Sequence, residues 1–471
     1  MSTISTDVAV IGAGTAGLAA YRAAKAAGRT ALLIEGGTYG TTCARVGCMP
    51  SKLLIAPADA AHALARFDAF GLRLPGEVAV DGEAVMARVR AERDRFVGFV
   101  LQGVAAIPPG DRIDGCARFV GDTTLIAGNS TVTARAVVIA TGSSPTYPAA
   151  WAGLGDRLVT NETLFDWTRL PESLVVFGPG VIGLELGQAL HRLGVRVKVF
   201  GRGGGVGPLS DPELLTEARR LFAAEFHLDT DARAEVTRDG DHVVVRYRAS
   251  DGDWRTERFD YLLAATGRAP NVRMLGLEST TLERDAQGVP LFDRETLQCG
   301  NAPIFIAGDA NADVPLLHEA ADEGRIAGEN AARCPDVRAG LRRAGLAIVF
   351  TDPQIAVIGG GHRAAREAAA GFVTGAVSFE DQGRARVMQR NHGRLHVYAE
   401  IGTGLLLGAE MIGPDAEHLA HLIAWARQLD LTVAEMLTLP FYHPVVEEGL
   451  RTALRDAYAK LDAAAKQRRA A

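Results

Sequence analysis

Short apolar runs, separated by glycine-rich turns and by longer helix-like segments, recur along the chain. The first run is Val8–Ile11; a helix-like segment, Leu18–Ala27, and a second apolar run, Ala31–Ile34, follow it. The same order returns where the apolar run Ser173–Phe177 precedes a helix-like segment that ends at Leu193. Apolar strands that alternate with helices are typical of a parallel sheet with helices on its faces. The pattern therefore predicts an α/β fold built from two similar units.

Three glycines connect the first strand to the first helix as G-x-G-x-x-G, at Gly12, Gly14 and Gly17. In such a loop the first glycine permits a tight turn, the second lets the backbone approach a pyrophosphate, and the third lets helix and strand pack closely. The N–H groups at the start of the helix then face the phosphates. Glu35, at the end of the second strand, can accept hydrogen bonds from ribose hydroxyls. These residues predict a dinucleotide-binding unit of the Rossmann type.

A second loop of the same form, Gly178, Gly180 and Gly183, follows the strand at 173–177. One such motif by itself also fits an ordinary glycine-rich turn. Two motifs in one chain, each placed between a strand and a helix, favour two dinucleotide sites.

Later apolar strands end in small residues that would let the backbone approach a cofactor. The strand before Thr141 and Gly142 ends in Ala-Thr-Gly, and so does the strand before Gly267. A third strand, Ile304–Ala307, runs into Gly308 and Asp309. The simplest organisation is one dinucleotide-binding domain with a second one inserted into it.

The pattern changes near residue 341, where short strands and two helices predict a separate α+β domain. The predicted strands are Ile348–Phe350, Ile355–Ile358 and Leu395–Tyr398, the predicted helices are Glu417–Gln428 and Val433–Leu437, and a charged helical tail covers Leu450–Ala471. The predicted domains are a first dinucleotide-binding domain at 1–145 that resumes at 265–340, an inserted domain at 146–264, and the C-terminal domain at 341–471.

Composition and charge exclude several classes of protein. With 471 residues, 48% of them hydrophobic and 23% charged, the chain has the length of about three domains and does not resemble a disordered or fibrous protein. The net charge of −6 and the lack of a basic block argue against a nucleic-acid partner. No apolar stretch reaches the roughly 18 residues of a membrane helix, and the N-terminus does not resemble a signal peptide. Five cysteines are too few for a secreted disulfide scaffold, so we expect a cytoplasmic protein.

Cys43 and Cys48 stand unusually close together, with four residues between them. A disulfide needs Cα atoms within roughly 7 Å, and an undistorted helix would turn these two positions to different faces, so a bridge requires a bend, which Gly47 permits. A cytosolic disulfide is usually catalytic or redox-sensing, and a helix N-terminus favours the reactive thiolate. The alternative is a pair of buried, reduced cysteines. A metal site is less favoured because no second cysteine pair or histidine pair completes it.

The sequence resembles the class I pyridine nucleotide–disulfide oxidoreductases, and among them dihydrolipoyl dehydrogenase most. Beside the CxxxxC run, the resemblance rests on motifs ordered as in that family: Ala265–Asn271, Ile306–Asp309, Phe350–Pro353, and His443-Pro444 followed by Glu447-Glu448. It covers nearly the whole chain. The resemblance implies FAD in the first domain, NADH or NADPH in the inserted domain, and a C-terminal domain that forms a homodimer.

The resemblance also implies roles for the redox residues. Cys48 would lie against the flavin, and Cys43 would face a small-molecule or protein-bound disulfide. His443, oriented by Glu448, would act as acid–base on the cysteines of the other subunit, after a cis peptide bond before Pro444. Histidine ordinarily titrates near pH 6.5, which suits proton transfer at neutral pH.

Further family positions concern the cofactors. Lys52 and Glu185 match a pair that lies near the flavin in dihydrolipoyl dehydrogenases, where a cation would stabilise the reduced, anionic flavin; the alternative is a solvated lysine. The resemblance assigns further cofactor contacts to Thr42, Thr141, Gly142, Gly267, Arg268 and Asp309.

The sequence departs from the family pattern near the expected substrate entrance. Val445 and Glu447 replace small hydroxyl residues, and Thr41 stands where glycine is usual. The C-terminus lacks the cysteine pair of mercuric reductases. Three functions stay open: a dihydrolipoyl dehydrogenase-like enzyme, an NADPH-dependent reductase of another small disulfide that resembles glutathione reductase, and a non-catalytic flavoprotein subunit.

The choice of nicotinamide follows from an internal comparison of the two units. Glu35 lies 18 residues after the last glycine of the first motif, and the same count from the second motif reaches Gly201. The acid that would hold a 2′-hydroxyl is absent there, and the next residue, Arg202, can meet a 2′-phosphate. Pro208 stands where NADPH-using glutathione reductases carry a second arginine. The alternative is that Arg202 points to solvent. The comparison favours NADPH over NADH.

Overall fold

The computed structural model describes residues 2–73, 76 and 79–470. The chain divides into two compact units: the first comprises Met1–Pro50, Arg88–Thr146 and Gly267–Arg342, and the second comprises Ser51–Ala87, Tyr147–Thr266 and Arg343–Ala471. Three of the divisions lie within two residues of predicted boundaries. The units differ from the predicted segments because residues 51–87 fall in the second unit, together with the inserted and C-terminal segments. The predicted domain boundaries therefore stay a prediction.

A seven-stranded sheet organises the first unit. Its strands are β1 (Ser2–Ile11), β2 (Ala31–Glu35), β3 (Arg112–Asp114), β4 (Ala117–Gly121), β5 (Thr124–Ala127), β6 (Ser130–Ile139) and β17 (Ile304–Ile306). The order is β3-β2-β1-β6-β5-β4, with β17 also paired to β6. The β3-β2-β1-β6-β17 pairings are parallel, whereas β4, β5 and β6 pair antiparallel. A separate antiparallel pair joins β7 (Ser143–Pro145) and β16 (Arg268–Pro270).

Strand β1 begins at Ser2, six residues before the strand that the apolar pattern predicts. Its first residues pair with the beginning of β6, from Ser2 opposite Ser130 to Thr6 opposite Ala134. Five of the six residues of this extension are polar and three are exposed, so it carries no apolar signal. The core begins at Val8, which is fully buried.

Helices α1 (Thr15–Ala26) and α8 (Leu317–Arg333) pack on the parallel part of this sheet. The first unit also contains α2 (Thr42–Val46), and the divisions between the two units fall within α3 (Cys48–Ala65) and α4 (Gly82–Ala105). A Cβ at Gly324 or Gly328 of α8 would overlap the backbone of Ala16 or Ala20 in α1. Glycine at these two positions therefore sets the close approach of α1 and α8.

The inserted part of the second unit repeats the same plan. Its parallel sheet has the order β11-β10-β9-β15-β8, formed by β8 (Leu158–Val159), β9 (Ser173–Phe177), β10 (Arg196–Phe200), β11 (His227–Asp229) and β15 (Tyr261–Ala264). An antiparallel sheet is formed by β12 (Ala234–Asp239), β13 (His242–Arg248) and β14 (Trp254–Phe259). The helices are α5 (Asn161–Leu164), α6 (Val181–Arg192) and α7 (Pro212–Ala223).

The C-terminal part of the second unit is an antiparallel sheet with helices, as predicted. The sheet, in the order β18-β19-β22-β21-β20, contains β18 (Leu346–Val349), β19 (Gln354–Ile358), β20 (Phe372–Ser378), β21 (Arg394–Glu400) and β22 (Leu406–Gly413). The helices are α9 (Gly361–Ala365), α10 (Gly383–Val387), α11 (Ala416–Gln428), α12 (Val433–Met436) and α13 (Glu448–Ala470). The predicted pair of helices is α11 and α12, and α13 is the predicted tail. The prediction missed α9 and α10 because five residues are too few to show a helical period.

Short 3₁₀ helices lie at Phe67–Phe70, Pro109–Asp111, Ala149–Arg157, Leu277–Ser279 and Gly308–Asn311. Within the described ranges, no helix is long and apolar enough to cross a membrane.

Candidate active site

The first glycine loop has the geometry that its spacing predicts. Gly12 has φ +105°, and a Cβ there would overlap the carbonyl oxygen of Ala140. A Cβ on Gly17 would overlap the carbonyl oxygen of Gly12, whereas Gly14 has no heavy atom within 4 Å of its Cβ position. Gly14 also precedes the first turn of α1. The loop therefore leaves open space at the N–H groups of a helix start, where a pyrophosphate binds.

Glu35 ends strand β2, next to this loop. Its carboxylate accepts hydrogen bonds from the backbone N–H of Ala13 at 2.6 Å and of Gly37 at 2.7 Å. The two bonds fix the side chain beside the glycine loop, where the sequence predicts the ribose of the first dinucleotide.

The remaining predicted contacts of the first unit lie around Thr141. Its Oγ1 is buried and has no hydrogen-bond partner among the residues that the structure describes. Close by, the Ser143 hydroxyl donates to Asp309 at 2.6 Å, and Arg268 donates to the Ser143 hydroxyl and carbonyl at 2.8 and 2.6 Å. Asn271 donates to the Thr141 carbonyl at 3.1 Å and, through its N–H, to the Gly142 carbonyl at 2.9 Å. An orphaned hydroxyl in a network that is otherwise satisfied fits a site that takes up a polar cofactor.

Gly267 begins the last segment of this unit with φ +121°, and its carbonyl accepts a hydrogen bond from Thr146. Together with the open space at Gly14 and the orphaned Thr141 hydroxyl, these residues fit FAD.

The second glycine loop reproduces the first in detail. Gly178 has φ +109°, and its Cβ would overlap the carbonyl oxygen of Ala265; a Cβ on Gly183 would overlap the carbonyl oxygen of Gly178. Gly180 again precedes a helix, α6, and has open space at its Cβ position. This loop therefore fits a second dinucleotide, the nicotinamide cofactor.

Gly201, at the end of β10, has no room for a side chain. A Cβ there would lie 2.6 Å from Pro179 Cγ and 2.9 Å from the carbonyl oxygen of Thr230. This crowding gives a physical reason why the acid of the first unit has no counterpart in the second. Arg202 is exposed, and no ion pair of its guanidinium occurs in the described part of the chain.

The two cysteines lie on either side of a helix break in the first unit. Helix α2 begins at Thr42 and ends at Val46, and α3 begins at Cys48. A Cβ on Gly47 would lie 3.0 Å from the Thr42 carbonyl oxygen and 3.2 Å from the Cα of Cys43, so the break is packed closely against α2. The bend predicted from Gly47 is present.

Cys43 and Cys48 are both thiols in this structure, and their side chains are hydrogen-bonded. That hydrogen bond, burial, and the negative charge of the Cys48 thiolate raise the pKa of Cys43 far above the ordinary range of a cysteine. Cys43 therefore needs a base before it can act as a nucleophile.

Thr41, just before α2, holds a backbone conformation that suits glycine. Its φ is 60° and its ψ is 149°, a region that is populated almost only by glycine and costs about 1–3 kcal/mol for other residues. The Thr41 hydroxyl accepts a hydrogen bond from the N–H of Ala44 at 3.3 Å and so caps the helix.

We expect Thr41→Gly to stabilise the protein by about 1 kcal/mol. The change removes the strain, loses only a few tenths of a kcal/mol as a cap, and is opposed by the larger entropy of glycine in the unfolded chain. Chemical denaturation of the FAD-loaded protein measures the effect. Thr41→Ala is the matched control: it loses the cap but keeps the strained Cβ, so it should destabilise. Equal loss of stability in both variants would contradict the strain.

Lys52 and Glu185, predicted as a pair, are in contact within the second unit. Lys52 Nζ lies 2.7 and 2.9 Å from the two carboxylate oxygens of Glu185, which is almost fully buried. Glu185 also accepts a hydrogen bond from the N–H of Phe350 at 2.9 Å, and Lys52 Nζ lies 4.4 Å from the Phe350 ring centroid. The ion pair holds the lysine in one place, although its side chain is 32% exposed, and its position near the flavin stays a prediction.

His443 and Glu448 are also in contact, and the His443–Pro444 peptide bond is cis, as expected. His443 Nδ1 lies 2.9 Å from Glu448 Oε2, and Arg451 donates to Glu448 Oε1 at 2.7 Å. Loss of hydration raises the pKa of Glu448. The hydrogen bonds from His443 and from the backbone of Val445, together with the charges of His443 and Arg451, outweigh this effect and lower the pKa overall. The anionic Glu448 therefore fixes the Nδ1 side of the ring and leaves Nε2 available for proton transfer.

One cluster of buried polar residues was not predicted. Asp211, the N-cap of α7, lies 2.9 Å from His396 Nδ1 and accepts a hydrogen bond from the Tyr398 hydroxyl at 2.9 Å. The fully buried Glu410 accepts from the N–H groups of Ser210 and Asp211, each at 2.9 Å. The cluster fixes the segment that follows the glycine-rich residues 201–207. The Asp-Pro sequence is a recognisable helix start, but partners that are about 190 residues distant leave no local pattern.

An apolar groove lies near the end of α11 in the second unit. It encloses about 430 Å³ and includes Trp425, Leu429 and Tyr442, whose exposed fractions are 62%, 70% and 80%. Exposed apolar surface of this kind is typical of a protein interface.

Two family models match the chain. The model described as pyridine nucleotide-disulphide oxidoreductase matches residues 6–324, and the dimerisation domain of the same family matches residues 346–454. The chain belongs to the pyridine nucleotide-disulphide oxidoreductase family. The predicted family and fold class are confirmed, and the protein is an oxidoreductase whose family uses FAD with NAD(P)H as electron donor. The apolar groove lies within the dimerisation domain, which supports a homodimer.

Relatives with different names resemble this oxidoreductase to a similar degree. Mercuric reductase of Streptomyces lividans is 32% identical over 466 residues, which cover 95% of each chain. Dihydrolipoyl dehydrogenase of Thermus scotoductus is 30% identical and covers 95% of this chain and 96% of its own. The dihydrolipoyl dehydrogenase of Bacillus subtilis is also 30% identical, with coverage of 95% and 97%.

Solved structures share the fold over nearly the whole chain. LpdA from Mycobacterium tuberculosis superimposes with a TM-score of 0.80 at 27% identity and covers 97% of this chain and 99% of its own. The HOCl-induced flavoprotein disulfide reductase RclA from Escherichia coli gives a TM-score of 0.79 at 23% identity, with coverage of 96% and 99%.

Proposed function

We propose that the protein is an FAD-dependent disulfide oxidoreductase that passes electrons between NAD(P)(H) and a substrate dithiol or disulfide, most like dihydrolipoyl dehydrogenase. The observation that carries the proposal is the thiol pair at the break between α2 and α3. Cys43 and Cys48 are hydrogen-bonded, and Cys48 occupies the first residue of a long helix, where the helix dipole favours a thiolate.

The proposed chemistry assigns a separate task to each thiol. When bound, FAD carries two electrons between the nicotinamide and the cysteine pair. To reduce a substrate disulfide, the Cys43 thiolate attacks one sulfur and releases the other as a thiol, which leaves a mixed disulfide. Cys48 then attacks Cys43, releases the second substrate thiol and forms the Cys43–Cys48 disulfide. Each turnover moves two electrons, and the reverse sequence oxidises a dithiol.

His443 is the proposed acid–base. Because the hydrogen bond to Cys48 and burial raise the pKa of Cys43, a base must take the Cys43 proton, and the Nε2 of His443 is the available atom. The side chain of His443 is 80% exposed, which supports the proposal that it serves the cysteines of a second subunit. The active form would then be a homodimer, which we expect in the cytoplasm.

The substrate is proposed to be a small-molecule or protein-bound disulfide rather than a mercuric ion. The first relative named above is a mercuric reductase, but residues 335–471 contain no cysteine that could add a further thiol pair to the site. Val445 and Glu447 follow His443 closely and add an apolar group and a charge. The added bulk and charge near the expected substrate entrance argue against lipoamide itself as the substrate and keep open another small disulfide.

A panel assay tests this function. The purified protein should show the absorption of bound flavin and should oxidise NADPH or NADH with at least one of lipoamide, glutathione disulfide, a coenzyme A disulfide or a lipoyl-domain protein. Flavin binding without turnover on any of them would favour the non-catalytic flavoprotein subunit.

We further propose that NADPH is preferred, because Gly201 excludes an acid and the unpaired Arg202 follows it. We expect Arg202→Ala to lower kcat/KM for NADPH by about 10-fold, the loss of one charge-assisted hydrogen bond to the 2′-phosphate, and to change kcat/KM for NADH by less than about twofold. Steady-state kinetics with both nucleotides on one preparation measure this. A clear NADH preference that Arg202→Ala leaves unchanged would contradict the proposal.

A further inference from the structure

Arg219, on α7, contacts the glycine-rich loop at 201–207. Its guanidinium donates to the carbonyl oxygen of Gly204. The N–H of Gly204 in turn donates to the Thr230 carbonyl oxygen at 2.9 Å. The loop is therefore hydrogen-bonded on one side to Arg219 of α7 and on the other to Thr230, which follows β11.

The charge of Arg219 is not neutralised. Among the residues that the structure describes, no carboxylate lies within 4 Å of its guanidinium, and its Nε is buried without a hydrogen-bond partner. Other arginines nearby differ: Arg220 pairs with Glu217 at 2.7 Å, and the buried Arg192 pairs with Glu225 at 2.6 Å. A buried donor without an acceptor is costly. The one carboxylate that bonds this loop, that of Asp231, accepts from the N–H of Gly203 and does not pair with Arg219. An arginine left in this state beside the loop fits an anionic ligand.

The loop lies at the ribose end of the second nucleotide site. Gly201 directly follows β10, at the position that corresponds to Glu35, the acid predicted to bind a 2′-hydroxyl in the first unit. Arg202 follows it and is also without an ion pair. Two uncompensated guanidinium groups thus belong to one short segment and the helix against it.

We propose that Arg219 is the second cation of a 2′-phosphate subsite. It lies on α7 and takes the place of the second arginine that glutathione reductases carry in the loop, where this chain has Pro208. The proposal rests on the proposed use of NADPH. The ligand chemistry is a phosphomonoester on the 2′-oxygen of an adenosine. Two guanidinium groups bind such a group through charge-assisted hydrogen bonds. NADH carries a hydroxyl at this position and gains nothing from the second cation.

The test uses the full-length, FAD-loaded enzyme. We expect Arg219→Gln to lower kcat/KM for NADPH by about 10–100-fold, mainly through KM, and to change kcat/KM for NADH by less than about twofold. Isothermal titration should show the same loss for adenosine 2′,5′-bisphosphate and no change for 5′-AMP. Arg220→Gln is the matched control, because Arg220 lies on the same helix and already pairs with Glu217. It should change neither kcat/KM for the two nucleotides nor the binding of the two adenosine fragments.

Arg219→Lys keeps the charge and should recover part of the preference for NADPH and for the bisphosphate. It also covers the case in which Arg219→Gln folds poorly, which the thermal midpoint would reveal. Equal losses for NADPH and NADH, or for the two adenosine fragments, in either variant would mean that Arg219 only supports Gly204, and the proposal would be overturned.

The results also distinguish failure of the Arg219 subsite from failure of the proposed use of NADPH. A wild-type enzyme that prefers NADH, with no selective effect of Arg202→Ala, refutes the use of NADPH and the subsite together. A wild-type preference for NADPH with no selective effect of Arg219→Gln refutes the subsite alone. In that second case Asp231, whose carboxylate accepts from the Gly203 N–H at 2.8 Å, becomes the residue to examine at the ribose.

Discussion

Replacing Cys48 by serine is expected to abolish disulfide reduction while FAD remains bound. A serine hydroxyl cannot form the disulfide with Cys43 that closes the proposed cycle, so turnover should fall by about 10³-fold or more, as on the loss of a nucleophile. The residues that fit FAD, such as Gly12, Glu35 and Thr141, do not depend on the thiol. The measurements are NADPH oxidation in the presence of a disulfide and the ratio of flavin to protein after purification.

Two further variants sharpen this experiment. Cys43→Ser should lose turnover equally, because each thiol has its own step, whereas Cys334→Ser, which removes an isolated cysteine, should keep it. Titration of free thiols before and after mild reduction should differ by two in the wild type and by none in either redox variant. Near-normal disulfide reduction by the Cys48 variant would refute the mechanism.

The nucleotide-binding folds could be predicted because local pattern and tertiary structure agree there. Strand β9 has the predicted bounds, Ser173–Phe177, since a strand buried on both faces is a continuous apolar run. The roles of Gly12 and Gly178 could be predicted because a Cβ at either position would overlap a carbonyl oxygen, that of Ala140 or Ala265. Only glycine fits there, so the requirement is visible in the sequence.

Other features left no such trace. The first residues of β1 are strand because β6 pairs with them, although five of the six are polar. The contact between Asp211 and His396 joins residues 185 positions apart. Arg219 resembles Arg220 in the sequence, and only their partners distinguish them: a carbonyl in the first case, a carboxylate in the second. The partners of β1 and of Asp211 lie far away in the sequence, and the local pattern alone does not show whether an arginine has a carboxylate beside it.

The predicted site residues divide in the same way. Lys52 with Glu185, and His443 with Glu448, were paired by resemblance, and both contacts are present. The thiol pair shows what the resemblance did not supply. The hydrogen bond to Cys48, burial and the charge of Cys48 raise the pKa of Cys43. The raised pKa gives a physical reason for a base.

His443→Gln is therefore expected to slow disulfide turnover by about 10²–10⁴-fold, the usual cost of a lost general base. Glutamine cannot accept and return a proton, so the thiolate of Cys43 would form only from solvent. Reduction of an artificial acceptor that takes electrons directly from the flavin should change little, because it does not use the thiols. Steady-state assays of the two reactions on the same preparation separate the effect on thiol chemistry from any effect on FAD or NADPH binding.

Glu448→Gln should fall between His443→Gln and the wild type, with a loss of about 10-fold, because one hydrogen bond to a charged group is weakened while the base is kept. His392→Gln, at an exposed histidine, is the control and should leave both reactions unchanged. Mixing the Cys48→Ser and His443→Gln proteins under conditions that exchange subunits tests the cross-subunit geometry. If His443 serves the partner's cysteines, a mixed dimer holds one site with both groups intact, and activity should return toward half of the wild-type value per dimer. An active monomer, shown by sedimentation under assay conditions, would contradict that geometry, because His443 would then act within its own chain.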